Sequence, residues 1–191
     1  ARIAADPNDV IKSIDALRKD RQKTKELEEI KKRADALLKE NKRLKEELKT
    51  AEGRTKGKIQ EEYVQGIRGL NATEWLERGF SLHKSGDYNE AIEAYSRAIE
   101  LDPKNAAAYH GRGIAYAELG NYQQAIRDFD RAIELDPKLA VAYYNRGIAY
   151  GNLGNYQQAI REYDKAIGLD PKDALAYHNR GFAYYTLGNY Q

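Results

Sequence analysis

Two textures of hydrophobic and polar positions divide the chain near Leu70. Before it, isolated aliphatic residues stand among charges, and from Leu27 their spacing is strict. Leu27, Ile30, Ala34, Leu37, Asn41, Leu44, Leu48 and Ala51 fall three and four apart, which predicts one helix burying a narrow seam against another helix. After Leu70 the apolar positions are denser, small and aromatic residues alternate with helical spacing, and glycine and proline return at regular intervals. That texture predicts short helices packed in pairs.

The seam has the form of a coiled coil over nearly four heptads. Asn41 occupies one seam position, where a buried amide is best satisfied by its own counterpart, so pairing in register is expected. In a parallel pair Glu26 faces Lys31 and Glu40 faces Lys45, while Glu47 and Glu52 clash. An earlier stretch, Val10, Ile14 and Leu17, lies one residue out of phase, with Arg21 and Thr24 between. A helix continuous from Asn8 to Glu52 would extend roughly 65 Å. The stripe is too narrow to cover a broad apolar surface of the same chain, so a homodimer is favoured over folding back. "EGRTKG" breaks this segment, and Lys58 to Leu70, with Ile59, Tyr63, Val64 and Ile67, reads as a short amphipathic helix. The expected organisation is therefore residues 1–57 as the coiled-coil segment, 58–71 as a linker or capping helix, and 72–191 as an array of repeats.

The repeat period is 34 residues. Residues 72–105, 106–139 and 140–173 are ungapped copies, and 174–191 is a partial fourth. An aromatic stands fourth (Trp75, Tyr109, Tyr143, Tyr177) and glycine eighth (Gly79, Gly113, Gly147, Gly181). Alanine returns at offsets 20 and 27, an aromatic at 24 (Tyr95, Phe129, Tyr163) and proline at 32 (Pro103, Pro137, Pro171). Small residues at 8 and 20 let two helices approach, and the rings fill the remaining space. Each copy therefore reads as a helical hairpin, and the fold class as an all-α repeat solenoid. Asp87, Asn121 and Asn155 stand where they should cap the second helices, with Glu90, Gln124 and Gln158 closing capping boxes.

This pattern closely resembles the tetratricopeptide repeat (TPR). The resemblance implies a right-handed superhelical array with first helices on its concave side and protein binding as its work. It also implies that the fifth, ninth and twelfth positions of each copy face a groove. Here these are Leu76, Phe80 and His83; His110, Ile114 and Ala117; Tyr144, Ile148 and Gly151; His178, Phe182 and Tyr185. Such a lining suits an extended or helical peptide with apolar anchors, and Asn145 and Asn179 stand ready to hold its backbone. The same rings could instead cover neighbouring helices, and the sequence leaves both roles open. Co-chaperone members of the family grip acidic carboxy-terminal tails with lysines, asparagines and an arginine. The matching first-helix positions here are Leu76 and Phe80, or His110 and Ile114, so a carboxylate clamp of that type is not expected.

Composition narrows the function further. Charges number 19 basic and 14 acidic before residue 71 and 13 basic and 16 acidic after it, too even and interleaved for a phosphate-facing patch, so no nucleic-acid partner is expected. Cysteine is absent, which removes thiol catalysis and thiolate metal sites. The three histidines, His83, His110 and His178, stand at positions that should spread them along the array. No catalytic motif accompanies them, so no enzyme activity, cofactor or metal is expected. The arginines at the seventh position, Arg78, Arg112, Arg146 and Arg180, suggest an anion ladder, but packed stems with heads paired to acids such as Asp128 or Glu162 are favoured.

No apolar run is long enough to span a bilayer, and no signal peptide is visible. A cytoplasmic chain is favoured, with a periplasmic or anchored one requiring an upstream leader. The partial fourth copy reads as a cut in a longer protein or as an edge that another chain covers. The leading expectation is a non-enzymatic adaptor, paired by the coiled coil and binding a partner peptide in the groove. The alternatives are a scaffold that self-assembles through its open edge, or a regulatory piece of a larger enzyme.

Overall fold

The computed structural model describes residues 69–188 together with Lys32, Ala36, Lys39 and Arg43. Those four are helical and exposed, and they stand on the heptad positions opposite the expected seam. The seam residues themselves and the capping segment 58–68 lie outside the described residues. The array is all-α: α1 (Ala72–Lys84), α2 (Tyr88–Leu101), α3 (Ala106–Glu118), α4 (Tyr122–Leu135), α5 (Ala140–Asn152), α6 (Tyr156–Leu169) and α7 (Ala174–Thr186). Each helix packs on its neighbours in sequence. Beyond that, α1 touches α3, α3 touches α5 and α5 touches α7, which puts the odd-numbered helices on the inner side of the stack.

Each odd-numbered helix ends on a glycine in the left-handed region: Gly86 (φ 82°), Gly120 (φ 78°), Gly154 (φ 79°) and Gly188 (φ 76°). The paired bonds Gly86 N to His83 O (3.0 Å) and Asp87 N to Leu82 O (3.0 Å) are those of a Schellman cap, and Gly120 with Asn121 repeats them. The helix starts depart from expectation. Only Asn155 caps a second helix, accepting from Gln158 N at 3.2 Å, whereas the Asp87 and Asn121 side chains make no cap bond. The complete capping box stands instead at α1, where Asn71 accepts from Glu74 N (3.0 Å) and Glu74 accepts from Asn71 N (2.9 Å). After each even-numbered helix an aspartate accepts from the backbone N–H two residues on, as Asp102 does from Lys104 at 3.1 Å, and the intervening proline stops the helix.

The two sides of each odd-numbered helix have different partners. Its glycine side faces the second helix of its own hairpin. A Cβ on Gly79 would lie 2.6 Å from Tyr95, one on Gly113 2.7 Å from Phe129, and one on Gly147 2.7 Å from Tyr163. Its alanine side receives the second helix of the hairpin before. Ala115 packs with Tyr95, Ala149 with Phe129, and Ala176 and Ala183 with Tyr163. Every ring at offset 24 is thus clamped between a glycine and an alanine of successive first helices. Those rings are essentially inaccessible, and burial pushes the phenols of Tyr95 and Tyr163 well above their usual range.

This geometry predicts opposite outcomes for one chemical change. Gly147→Ala gains about 1 kcal/mol of helix propensity but drives a methyl into the Tyr163 ring, an overpacking cost of about 1–3 kcal/mol. Gly168→Ala, in α6 with nothing within 4 Å of the added carbon, keeps the propensity gain alone. Urea unfolding should show a lowered midpoint for the first and a raised one for the second. A raised midpoint for Gly147→Ala would mean that the ring yields without cost.

Candidate functional site

The inner face is built by the fifth, sixth and ninth positions of α1, α3, α5 and α7, and most of the expected groove lining is closed there. Phe80, His83, His110, Ile114, Tyr144, Asn145 and Ile148 are all buried. Two interactions account for this. The fifth-position rings turn onto the offset-24 ring of their own hairpin: His110 lies 5.7 Å from Phe129 and Tyr144 lies 6.0 Å from Tyr163. Their polar tips then reach the sixth position of the next hairpin. Asn145 Nδ2 donates to His110 Nε2 (3.0 Å), and Asn179 Nδ2 donates to the Tyr144 hydroxyl (2.9 Å). Of the two roles the sequence left open, covering neighbouring helices is the one the fifth-position residues of α3 and α5 perform. The amides of Asn145 and Asn179 tie successive hairpins together, Asn145 from a buried position and Asn179 from a half-buried one.

The first hairpin offers no polar tip, having Leu76 at its fifth position, and correspondingly Gly111 replaces asparagine at the next sixth. Gly111 is needed for a second reason, since a Cβ there would lie 2.6 Å from the Tyr95 ring. The pairs Leu76–Gly111, His110–Asn145 and Tyr144–Asn179 each stand 35 residues apart. That spacing, one more than the period, is the signal that would have identified the ladder from sequence.

Two of the histidines are held neutral. Burial lowers His110 to about 4, opposed by a hydrogen bond with the Val141 backbone and assisted by the nearby His83. Burial likewise lowers His83 to about 4, and its ring stands edge-on to Tyr88 at 5.3 Å. His178 stands apart on α7 and is exposed. Among the described residues no group of side chains could hold a metal ion, and no helix is long and apolar enough to cross a membrane.

The arginine ladder is structural. Arg112 donates from Nε and Nη2 to both oxygens of Asp128 (2.7 Å each) and from Nη1 to Ser96 (3.0 Å). Arg146 donates to Glu162 (3.0 and 2.5 Å) and to Asp130 (2.6 Å), and Arg180 to Asp164 (2.5 Å). Each guanidinium thus lies over the fourth-position ring of its own helix, as Arg146 does over Tyr143 at 5.4 Å, and bridges to the previous hairpin. The bond to Asp128 holds Arg112 above its usual pKa. What remains open on the inner face is its last part, on α7: His178, Phe182 and Tyr185 are exposed, Tyr185 at 65%, and Asn179 is half-buried beside them.

A family model described as TPR repeat matches residues 79–120 and 152–188, and two described as tetratricopeptide repeat match 106–139 and 129–161. Together they run from 79 to 188, more than half of the chain. The chain belongs to the tetratricopeptide repeat family. No curated protein matches it significantly. Several solved TPR structures do. The first TPR of Spaghetti (RPAP3), bound to HSP90 peptide SRMEEVD, is 28% identical over 62% of this chain and 94% of that one, with a TM-score of 0.61. The second TPR domain of human RPAP3, in complex with HSP70 peptide SGPTIEEVD, is 31% identical over 57% and 91%, at 0.56. YrrB, described as a TPR protein with an unusual peptide-binding site, is 29% identical over 63% and 62%, at 0.57.

Two predictions follow from the TPR inner face. Arg146→Ala leaves the buried Glu162 carboxylate with only Gln158 (2.7 Å) and Lys165 (3.9 Å) on one oxygen and should cost up to about 3 kcal/mol, whereas Arg97→Ala, which breaks the exposed Arg97–Glu100 pair, should cost under about 1 kcal/mol. Equal losses in denaturant titrations would refute the bridging role. Because His83 and His110 bind protons less readily folded than unfolded, their contribution to stability is full above about pH 6.5 and is lost as pH falls towards 4. His110→Gln should flatten the stability–pH slope between pH 6.5 and 4, and an unchanged slope would show that His110 does not carry it.

Proposed function

We propose that the chain is a non-enzymatic adaptor: the TPR array holds a peptide segment of a partner protein, and the seam of residues 27–48 pairs two chains. The observation that supports peptide binding is the likeness to TPR arrays solved with peptides in place. The accessible part of the inner face favours a contact on α7, with His178, Asn179, Phe182 and Tyr185 as the lining. Two rings, an imidazole and an amide suit a peptide with an apolar or aromatic anchor whose backbone is hydrogen-bonded at the rim.

An acidic carboxy-terminal tail is a poorer fit. The positions that would supply a clamp's lysine and asparagine are Leu76 and Phe80 or His110 and Ile114, and Phe80, His110 and Ile114 are buried. The ladder arginines of α3 and α5 are already committed to Asp128, Asp130 and Glu162. Pairing two chains through the seam would present two such surfaces and raise apparent affinity through effective concentration.

Peptides selected from a random library on the 1–191 chain should lose about tenfold in affinity, or roughly 1.4 kcal/mol, with Tyr185→Ala, and nothing with Arg97→Ala. Light scattering should give twice the chain mass for 1–191 and a single chain mass for 54–191. Selected peptides indifferent to Tyr185 would refute the site, and a monomeric 1–191 chain would refute the pairing.

A further inference from the structure

Among the described residues, the first and second hairpins are joined by fewer polar groups than the later ones. At each joint a seventh-position arginine reaches back with Nη1 to offset 25 of the hairpin before: Arg146 to Asp130 (2.6 Å), Arg180 to Asp164 (2.5 Å) and Arg112 to Ser96 (3.0 Å). The first joint therefore has a neutral hydroxyl where the other two have a carboxylate. The inner-face bridges from His110 to Asn145 and from Tyr144 to Asn179 have no counterpart there either, because Leu76 and Gly111 hold those positions. Offset 25 is open to solvent on its outer side: the Asp130 and Asp164 side chains are 46% and 49% exposed, and Ser96 is half-buried.

We propose that Ser96 is a phosphorylation site, whose phosphate supplies to Arg112 the anion that Asp130 and Asp164 supply to the later arginines. The fold already holds two acids on one such arginine, since Arg146 lies between Asp130 and Glu162. Arg112 repeats that arrangement, with Asp128 on Nε and Nη2 and Ser96 on Nη1. Of the acids one turn away on α2, Glu100 is held by Arg97 at 2.6 Å, as Glu134 beside Asp130 is held by Arg131 at 2.7 Å. Glu93 is the opposing charge, where α4 and α6 carry Arg127 and Arg161. In the transfer, Ser96 Oγ attacks the γ-phosphorus of a nucleoside triphosphate held by a protein kinase. The O–P bond forms as the bond to the β-phosphate oxygen breaks, the hydroxyl proton passes to the kinase's base, and the nucleoside diphosphate leaves. The product carries a charge of about −1.5 to −2 and three acceptor oxygens, and its bonds to a guanidinium are stronger than those of a neutral hydroxyl. A serine in mid-helix reaches a kinase when its hairpin opens, and the joint with the fewest polar ties opens most readily. Modification thus closes the joint that admitted it. This regulation is independent of the α7 contact proposed above.

The test uses the 1–191 chain with phosphoserine placed at position 96 during expression. Its thermal midpoint should rise by about 2–4 °C, and amide exchange in α1 and α2 should slow about fivefold. Ser96→Asp should shift both in the same direction, and Arg112→Gln should abolish the gains. A further measurement needs no variant of Arg112: phosphorus NMR should show the phosphate titrating below its ordinary midpoint of about 6 in the folded chain and returning to it in urea. Mass spectrometry of the chain isolated from its own cells should find phosphate on Ser96. A lowered midpoint, a gain that survives Arg112→Gln, or equal titration in the folded chain and in urea would overturn the bridge to Arg112. Phosphate on Ser81 or Ser85 alone, or on no serine in growing and starved cells alike, would overturn the modification.

Discussion

The structure depends on one close approach: an aromatic ring at offset 24 lying directly on a backbone that carries no side chain. At Gly79, Gly113 and Gly147 the ring occupies the volume where a Cβ would stand, so the two helices of a hairpin come nearer than any other residue would allow. The far side of the same ring rests on the next hairpin, against Ala115, Ala149 or Ala183. One side chain thus joins the halves of a hairpin and joins that hairpin to its neighbour. Stability in such an array is a sum of nearest-neighbour contacts, and here most of each contact passes through a single ring.

Polar groups follow the same joints. The rings of His110 and Tyr144 pack on Phe129 and Tyr163 and hand their polar tips to Asn145 and Asn179 of the next helix. The arginines cross the joint in the other direction, from Arg112 to Ser96 and from Arg146 to Asp130. Packing and hydrogen bonding therefore reinforce one another at every hairpin boundary, and they occupy much of the inner face. Among the described residues, α7 has its alanine side covered, its inner face exposed, and an arginine with one carboxylate where Arg146 has two.

Much of this was legible in the residues. The 34-residue period, the glycine beneath a ring and the pairing of Arg112 with Asp128 and of Arg146 with Glu162 all follow from offsets, because each is a contact between fixed positions of one repeating unit. Depth was not legible. Periodicity says which face of a helix a residue occupies but not how closely the next helix lies over that face, so His110, Tyr144 and Asn145 read equally well as a groove or as a joint. The caps were not legible either: Asp87, Asn121 and Asn155 all follow the same glycine turn, yet only Asn155 makes the side-chain bond. The coiled-coil seam of residues 27–48 stands on heptad spacing alone, since its positions lie outside the described residues.

The central claim, that ring and glycine form one joint, is tested most directly by a double-mutant cycle between Gly147 and Tyr163. If the ring is what excludes a side chain at 147, Gly147→Ala should be harmful with Tyr163 in place and neutral or beneficial in the Tyr163→Leu background. The expected coupling is about 1–3 kcal/mol. Additive effects of the two substitutions would contradict the account.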